Sequence, residues 1–491
     1  MSERVLDLPA HVASVAPRDL AEARRLSALV PSGATAIEYR LDLAFEPIAP
    51  AALLELDPRP AILTWRSARE GGRFDGSAEE YRTLVLEAYR AGATVDVEHD
   101  TGLLAQDGFF PDRRRVIVSA HFPFGLPSDA EATLAAMGAA GARASKLVAG
   151  AADLSAAFTV AAFQSRPRGF PASIFPMGPA SAPGRILSAH LGAPLVYGSV
   201  GPVTARGQLP VAEMIAVYGT DRPVVPEALF GIVAADPSAS LSPRVHNALF
   251  RARGLQFLYL PLPTSDFDCE KPAELATQAP FRGFSVTRPW KRAAARSGVP
   301  STDVREAGAA NTLVFERGRW RAENTDVDGI FDPLADHDTG EGRSAVILGA
   351  GGTARAAVVA ARRMGYEVAV SSRREAAADE LADEFKVDAI SWVDLPSTEA
   401  DLYLNATPIG ALEGDPPAVP LAVLENRPLI FDCVYRAQGQ TSTVAAARRA
   451  RCPVVEGLQM FAVQALRQAR LFGVQDATLP EIEALVRGGD A

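Results

Sequence analysis

The feature that most constrains the fold is the regular alternation of short apolar runs with helical stretches over residues 1–217. Between the runs lie segments such as SAEEYRTLVLEAYRAG and SDAEATLAAMGAAG, whose apolar spacing is that of a helix. Strand and helix that alternate about every 25 to 30 residues predict parallel βα units. The predicted strands are HVASVAP, TAIEYRL, AILTWRS, ATVDVEHD, RVIVSAH, ASKLVAG, PASIFPMG and APLVYGS.

Eight strands of this kind close a barrel, so the sequence predicts an α/β fold with a (β/α)8 barrel over residues 1–217. The segment is slightly shorter than the ~250 residues usual for that fold. The whole chain has 491 residues, which is too long for a single hydrophobic core. We therefore expect further domains after the barrel.

The overall composition is that of a globular protein, with 48% hydrophobic and 22% charged residues. A net charge of −10 argues against nucleic acid as a bulk partner. No apolar run approaches the ~18 residues of a membrane span, and the N-terminus lacks the regions of a signal peptide. The three cysteines form neither a disulfide framework nor a zinc pattern. We expect a cytoplasmic protein without a metal.

Lysine is rare in this chain, whose four lysines are Lys146, Lys271, Lys291 and Lys386. An arginine stays protonated at any working pH, whereas a lysine can lose its proton and form an imine with a carbonyl. Lys146 is the single lysine of the first 215 residues, so Schiff-base chemistry in this half must use it. The alternative is that Lys146 has no special role and remains by chance in a chain whose composition favours arginine over lysine.

Polar residues are expected at the carboxyl ends of the predicted barrel strands, the edge where βα barrels build their active sites. Glu98, His121 and Lys146 fall on successive strands, which lie only ~4.8 Å apart. They supply an orienting group, a base and an imine-forming amine. Arginines at the same edge suit a carboxylate. The remaining polar residues expected there are Glu38, Arg40, Arg66, Arg185 and Gln208.

The motifs of this half resemble one known enzyme family in their order and spacing. They are IEYRLD, TWRSAREGG, DVE, the His of SAHF, the Lys of SKLVAG, MGPASAPGR and TARGQ. Together they are similar to the signature of type I 3-dehydroquinate dehydratase, over roughly residues 10–215. The resemblance implies a barrel enzyme that dehydrates its substrate through an imine.

The same resemblance implies roles for individual residues. Lys146 forms the imine with the ring ketone, His121 removes the neighbouring proton and assists the loss of water, and Glu98 orients and charges His121. Arg185 holds the ring carboxylate. Thr204 stands where a loop serine is usual, and it belongs with Gln208 to the closing loop. The implied substrate-binding residues are Glu38, Arg40, Arg66, Arg185, Thr204 and Gln208.

The second half contains an apolar strand, a glycine-rich turn and an Ala-rich helix in SAVILGAGGTARAAVVAARRMG. This order predicts a Rossmann-type dinucleotide-binding domain, in which Gly349, Gly351 and Gly352 let the backbone approach a pyrophosphate at the helix N-terminus. We assign that domain to residues 332–455. A substrate-binding domain is expected over residues 228–331, joined by the C-terminal helices 456–491.

The residues after the next predicted strand indicate which dinucleotide binds. An NAD site would place an acidic residue there, but the strand YEVAVSSRR ends in Ser372, Arg373 and Arg374. Two arginines favour a 2′-phosphate, and hence NADP. The alternative is a solvated basic turn.

The motifs of this half resemble shikimate dehydrogenase over roughly residues 229–480. They are SLSPRVHN, GFSVTRPWK, AGAANTL, ENTDVDG, NATPIGA, FDCVY and EGLQMFAVQ. The resemblance implies that Lys291 and Asp326 form the catalytic pair, the alternative being a structural ion pair. The implied substrate-binding residues are Ser240, Ser242, Thr287, Asn311, Tyr435 and Gln464.

The resemblance also implies the cofactor-binding residues. These are Gly349, Ala350, Gly351, Gly352, Thr353, Ala354, Ser372, Arg373, Arg374, Asn405, Thr407 and Gly457. Of them, Asn405 and Thr407 are expected to line the nicotinamide side.

The two implied reactions follow one another chemically. The first would convert 3-dehydroquinate to 3-dehydroshikimate, and the second would reduce that product to shikimate with NADPH. A fused chain in this order resembles the bifunctional dehydroquinate dehydratase–shikimate dehydrogenases. Two alternatives stay open: a second half that acts mainly on quinate, and a sensor that binds these ring acids without turnover. The oligomeric state is left open.

Overall fold

The computed structural model describes residues 5–106, 108–337, 340–436 and 439–488. The chain divides into two compact units. One ends at Glu227 and includes Leu260–Thr264, and the other comprises Ala228–Tyr259 and the residues from Ser265 onward. Along the described ranges, no helix is both long and apolar enough to cross a membrane. The three predicted domain ranges stay predictions.

Within the described part of the first unit, eight parallel strands form one sheet in the order β7-β6-β5-β4-β3-β2-β1-β8. Its two ends approach each other, since the Leu195 backbone N–H donates to Ser173 Oγ at 2.8 Å. The predicted barrel is thus confirmed. The strands are β1 (Ala10–Val15), β2 (Ala36–Arg40), β3 (Ala61–Thr64), β4 (Thr94–Glu98), β5 (Val116–Phe122), β6 (Ala144–Gly150), β7 (Ala172–Met177) and β8 (Leu195–Ser199).

The barrel strands are buried almost throughout, because helices cover the outer face of a parallel sheet. The longest of these helices shows how its ends are set by local sequence. It begins with a capping box between Ser77 and Glu80, and it ends at Gly92, whose φ is 103°. The helices are α1 (Leu20–Ser27), α2 (Pro50–Leu54), α3 (Ala78–Ala91), α4 (Ala130–Ala139), α5 (Leu154–Gln164), α6 (Ala182–His190) and α7 (Val211–Ala216).

A mixed sheet follows in the chain, with strand order β10-β9-β11-β13-β14-β12. Strand β11 pairs parallel with β9 and antiparallel with β13. The strands are β9 (Ala228–Ala234), β10 (Phe257–Pro263), β11 (Phe281–Val286), β12 (Val299–Pro300), β13 (Thr312–Glu316) and β14 (Arg319–Glu323). The helices are α8 (Ser242–Ala252), α9 (Lys271–Gln278), α10 (Lys291–Ala294), α11 (Thr302–Ala307) and α12 (Thr325–Ala335).

The third sheet is parallel and has the strand order β17-β16-β15-β18-β19-β20. The order reverses between β15 and β18, which is where open α/β sheets bind their ligands. The strands are β15 (Ser344–Leu348), β16 (Glu367–Ser371), β17 (Asp388–Ala389), β18 (Leu402–Asn405), β19 (Leu429–Asp432) and β20 (Val454–Glu456). The predicted Rossmann-type fold is confirmed.

The helices of this last part do not all stay with the parallel sheet. The final helices pack on the mixed sheet, where Phe461 and Ile482 join Phe230 and Leu249 in one buried apolar cluster. The chain therefore returns to the mixed sheet after leaving the parallel one. The helices are α13 (Gly352–Arg363), α14 (Glu375–Phe385), α15 (Ser442–Arg449), α16 (Gly457–Leu471) and α17 (Leu479–Arg487).

Candidate active sites

A cavity of about 980 Å³ is lined by residues of the barrel strands and of the loops that follow them. Almost every predicted residue of this half contributes to its wall. The predicted residues in the lining are Glu38, Arg40, Arg66, His121, Lys146, Arg185, Thr204 and Gln208. Glu98 is the exception, because it is not part of the lining and is only 1% exposed.

Lys146 lies in the first half of β6, and not at the strand end where it was expected. Its Nζ atom is 2.7 Å from Asp96 Oδ2 and 3.6 Å from Glu38 Oε1. The same nitrogen lies 4.5 Å from the centre of the Tyr197 ring. The long side chain therefore carries the amine from the strand interior to the cavity, between carboxylates and an aromatic face.

Arg185 also differs from the prediction, because it lies on helix α6 and not on a strand. Burial lowers the pKa of its guanidinium to about 10, so the group remains a cation at neutral pH. Its Nε atom has no hydrogen-bond acceptor among the described residues. By contrast, Arg40 is paired with Asp42 at 2.8 Å. A buried guanidinium in a cavity wall, with an Nε–H that no described residue accepts, is suited to bind an anion.

Asp96 is a site residue that the sequence analysis missed. It is buried on β4, where it accepts hydrogen bonds from Arg66 and Ser119 as well as from Lys146. Burial alone would raise its pKa, but Arg66 and Lys146 hold that pKa well below its usual range. The sequence contained a signal for Asp96. It lies two residues before Glu98 on the same strand, so the two side chains are expected on the same face of the sheet.

His121 has a different carboxylate partner from the predicted one. Its Nδ1 atom is 2.8 Å from Glu70 Oε2. Glu98 instead accepts hydrogen bonds from Arg66 at 3.1 Å and from the Ser67 backbone N–H at 2.8 Å. The assignment of Glu98 as the group that orients His121 is therefore wrong in this structure. Glu70 lies on the short helical turn Ala68–Glu70 that follows β3, and this turn brings its carboxyl group to His121.

The surroundings of this pair favour a neutral imidazole. Burial lowers the pKa of His121 well below its usual range, and Arg66 and Lys146 lower it further. Burial raises the pKa of Glu70 to about 8 against the attraction of Arg66. A neutral imidazole is the form that can remove a proton. Glu70 is placed to stabilise the imidazolium that forms when His121 takes up that proton.

The loop before α7 is connected to the cavity wall by hydrogen bonds of the Thr204 hydroxyl group. Thr204 Oγ1 donates to Gln208 Oε1 at 2.6 Å and lies 2.9 Å from Ser14 Oγ. Ser14 in turn donates to Glu38 at 2.6 Å. The threonine hydroxyl thus connects this loop to Ser14 and, through it, to Glu38 in the cavity wall.

A second cavity, of about 600 Å³, lies between the mixed sheet and the parallel sheet. Its wall contains most of the residues predicted for the second reaction. The predicted residues in the lining are Ser240, Ser242, Thr287, Lys291, Asn311, Asp326, Thr353, Thr407, Tyr435, Gly457 and Gln464.

Lys291 and Asp326 form a close ion pair in this cavity, with Nζ and Oδ2 at 2.6 Å. The other oxygen of Asp326 accepts a hydrogen bond from Asn311 Nδ2 at 2.8 Å. Lys291 also donates to Thr353 Oγ1 at 2.9 Å. The ammonium and the carboxylate are thus held in fixed orientations at the cavity wall.

Gln468 and Ser285 are lining residues that the sequence analysis did not assign. Ser285 donates to Gln468 Oε1 at 2.9 Å, and Gln468 donates to Thr312 Oγ1 at 2.8 Å. Gln468 lies one helical turn after Gln464 on α16, so helical periodicity could have identified it.

The glycine-rich turn between β15 and α13 fits a dinucleotide. Gly349 has φ 117°, and a Cβ atom there would come within 3.0 Å of the Ala406 carbonyl oxygen. A Cβ atom at Gly351 would meet nothing within 4 Å, so this backbone faces open space. The turn leads directly into the N-terminus of the twelve-residue helix α13, where backbone N–H groups favour a phosphate.

The other predicted cofactor residues divide into exposed and buried groups. Arg373 and Arg374 are exposed after β16, and Ser372 is buried. Ala354 is buried inside α13, and Ala350 packs against the same core.

Asn405 is fully buried and does not line the cavity. Its amide donates to Asp432 at 2.8 Å, and its oxygen accepts from Thr407. It therefore shapes the loop that presents Thr407, and the expectation that Asn405 itself lines the nicotinamide side is wrong in this structure.

Each half of the chain is similar to a known protein family. Residues 11–223 match the type I 3-dehydroquinase family, and residues 232–313 match the shikimate dehydrogenase substrate binding domain. A shikimate dehydrogenase (NADP(+)) from Oleidesulfovibrio alaskensis is 35% identical over 278 residues, covering 54% of this chain and 96% of that protein.

Two longer matches span both halves. The chloroplastic bifunctional 3-dehydroquinate dehydratase/shikimate dehydrogenase of Arabidopsis thaliana is 27% identical over 474 residues, covering 90% of this chain and 78% of that protein. Among solved structures, the dehydroquinate dehydratase and shikimate dehydrogenase from S. pombe AroM has a TM-score of 0.43 and 22% identity, covering 99% of this chain and 98% of that chain.

The fold and the matches define the class as a fusion of a barrel lyase with a dinucleotide-dependent oxidoreductase. The chain belongs to the shikimate dehydrogenase family, and it carries a type I 3-dehydroquinase domain ahead of that part. Both resemblances drawn from the motifs are confirmed. The shikimate dehydrogenase relatives are named as NADP(+) enzymes, in agreement with the predicted cofactor.

Proposed function

We propose that the barrel cavity dehydrates 3-dehydroquinate to 3-dehydroshikimate and that the second cavity reduces this product to shikimate with NADPH. The placement of Lys146 supports the first step. Its Nζ atom reaches the cavity, and Ser119 is its neighbour in register on β5. His121 is two residues further along β5, and so faces the same side of the sheet.

The dehydration begins when the Lys146 ammonium gives up a proton and the resulting amine attacks the ring ketone. That proton returns to the hydroxyl group formed from the ketone oxygen, which leaves as water. The positively charged iminium that results draws electrons from the adjacent carbon, which makes its proton acidic. His121, held neutral, takes that proton with Glu70 as its hydrogen-bond partner. The imidazolium then protonates the leaving hydroxyl group as the double bond forms. Water finally releases the product and restores Lys146.

The charged groups around the amine have separate tasks in this scheme. Asp96 stays ionised and positions Lys146, since the pKa of Asp96 lies well below its usual range. Arg185 binds the substrate carboxylate, because it is a buried cation in the cavity wall whose Nε atom has no acceptor among the described residues. Thr204 and Gln208 close the loop over the bound ring.

In the second cavity, NADPH would supply a hydride when it is bound. The chain's own residues hold the ring acid and handle the proton. Lys291 donates a proton to the carbonyl oxygen, where negative charge builds up. Asp326 accepts a hydrogen bond from the ring hydroxyl and is oriented by Asn311. Ser240 and Ser242 bind the carboxylate, and the contacts to the ring hydroxyls come from Thr287, Asn311, Tyr435 and Gln464.

The dinucleotide would be held by three parts of the parallel-sheet domain. The turn at Gly349, Gly351 and Gly352 and the N-terminus of α13 would hold the pyrophosphate. The exposed guanidinium groups of Arg373 and Arg374 bind the 2′-phosphate. Thr407 and Gly457 line the side of the cavity that receives the nicotinamide.

A coupled assay tests both steps at once. The protein is mixed with 3-dehydroquinate and NADPH, and the loss of NADPH absorbance is followed. NADPH is consumed only if the barrel first makes 3-dehydroshikimate. We expect Lys146→Arg to stop consumption from 3-dehydroquinate but to leave consumption from added 3-dehydroshikimate intact.

Chemical trapping gives a second readout of the same proposal. Borohydride reduces an imine to a stable adduct, so the wild-type protein with substrate should gain the mass of the bound ring, and Lys146→Arg should not. Labelling that persists in Lys146→Arg would refute the assignment of Lys146. Faster turnover of quinate than of shikimate would favour quinate as the main substrate of the second half. A cytoplasmic location stays a prediction from the sequence.

A further inference from the structure

The Lys291 side chain has two fixed hydrogen-bond acceptors. Its Nζ atom donates to Asp326 Oδ2 at 2.6 Å and to Thr353 Oγ1 at 2.9 Å. An ammonium group carries three N–H donors in a tetrahedral arrangement. Once two of them are held, the direction of the third is determined. Asp326 alone would leave the group free to rotate about one contact.

A second observation shows how closely Lys291 lies against the dinucleotide turn. A Cβ atom at Gly352 would come within 2.8 Å of both Lys291 Cβ and Lys291 Cδ. The stem of Lys291 therefore lies directly on the first turn of α13, where Gly352 leaves space for it. This contact brings the hydroxyl of the next residue, Thr353, within reach of the ammonium.

We propose that Thr353 is a positioning residue for the reduction: its hydroxyl holds Lys291 so that the remaining N–H points at the substrate oxygen. Thr353 is the second residue of α13, so its backbone N–H has no acceptor within the helix and stays available to the dinucleotide. The side chain and the backbone of one residue thus serve two different partners. This inference rests on the proposed reduction at the second cavity.

The competing role for the hydroxyl is a hydrogen bond to the cofactor. The two roles predict different losses when the hydroxyl is removed. A hydroxyl that binds the dinucleotide supports its affinity, whereas one that orients Lys291 supports the step in which charge builds on the substrate oxygen. Thr353→Val removes the hydroxyl at nearly constant shape, and Thr353→Ser keeps it and serves as the matched control.

The experiment measures kcat and KM for shikimate oxidation by the full chain, together with the Kd for NADP. For Thr353→Val we expect kcat to fall about tenfold, which is the expected loss for one hydrogen bond to a charged group. The KM for shikimate should rise about threefold, because a misdirected ammonium also binds the ring hydroxyl less well, and the Kd for NADP should stay unchanged. Thr353→Ser should recover most of the lost kcat. The melting temperature should stay close to that of the wild type in both variants.

A readout without the cofactor completes the test. Shikimate should raise the melting temperature of cofactor-free Thr353→Val less than that of the wild type, and Thr353→Ser should behave as the wild type does. Equal losses in both variants, or a loss confined to NADP affinity, would overturn the proposal. If the wild type does not oxidise shikimate, the proposed function fails, and the cofactor-free comparison still decides the role of Thr353.

Discussion

His121 and Glu70 are 51 positions apart in the chain, and the structure brings His121 Nδ1 to 2.8 Å from Glu70 Oε2. This contact joins the base of the proposed dehydration to a carboxyl group that is buried beside Arg66. Burial lowers the pKa of His121 and raises that of Glu70 to about 8. Because the two groups are in direct contact, a proton taken up by His121 changes the protonation state of Glu70.

Replacing Glu70 should impair the dehydration more than replacing Glu98. We expect Glu70→Gln to lower kcat about a hundredfold, because the uncharged amide cannot stabilise the imidazolium that forms during turnover. Glu98→Gln is the matched control, since Glu98 binds Arg66 and the Ser67 backbone. Steady-state kinetics with 3-dehydroquinate measure both. A larger loss in Glu98→Gln would restore the original assignment of Glu98.

The stability of the protein should depend on pH through Glu70. Its pKa in the folded state, about 8, is above the ~4.3 of a free glutamate, so the folded state binds more protons between these values. Its contribution to the free energy of unfolding is therefore present at low pH and is lost as pH rises through about 8.

The pKa of His121 is shifted in the opposite direction, to lower values. Its contribution to the free energy of unfolding therefore rises with pH only up to the usual histidine pKa of ~6.5. Between that value and pH 8, the loss from Glu70 should dominate. Urea unfolding at pH 6.5 and at pH 8 measures it, and the decrease should be smaller in Glu70→Gln than in the wild type. Identical decreases in the two proteins would mean that Glu70 does not titrate in this range.

Arg185 should show a trade-off between stability and binding. Its buried Nε lacks an acceptor among the described residues, so Arg185→Met replaces an unsatisfied cation by an apolar chain of similar length. We expect an unchanged or higher melting temperature, together with a KM for 3-dehydroquinate raised about a hundredfold. Arg40→Met is the control, because it breaks an ion pair with Asp42 and should lower the melting temperature. An unchanged KM in Arg185→Met would place the substrate carboxylate elsewhere.

The exposed Arg373 should set the preference between the two dinucleotides. We expect Arg373→Ala to weaken NADP binding about tenfold and to leave NAD binding unchanged, because only NADP carries the 2′-phosphate. Arg449→Ala removes an exposed charge from the end of α15 and serves as the control. Fluorescence titration with both dinucleotides measures the ratio. A ratio that stays constant would show that another residue binds the phosphate.

Much of the fold could be predicted because each barrel strand has its own local signal. The eight apolar runs match β1 to β8, and the glycine-rich turn lies between β15 and α13. The less accurate predictions concern where a side chain lies within its element. Lys146 is inside its strand, and Arg185 is on a helix. Strand periodicity shows which face a residue occupies, but the reach of a long side chain depends on what surrounds it.

The sequence by itself determined the alternation of elements, the single lysine available for an imine in the first half, and the pairing of a glycine-rich turn with basic residues. These are local properties, set by backbone preferences and by composition. The tertiary structure decided that Glu70 and not Glu98 contacts His121, that Asp96 holds Lys146, and that Thr353 meets Lys291. Such contacts join distant segments, and they form only where packing brings a loop or helix end over a neighbouring strand.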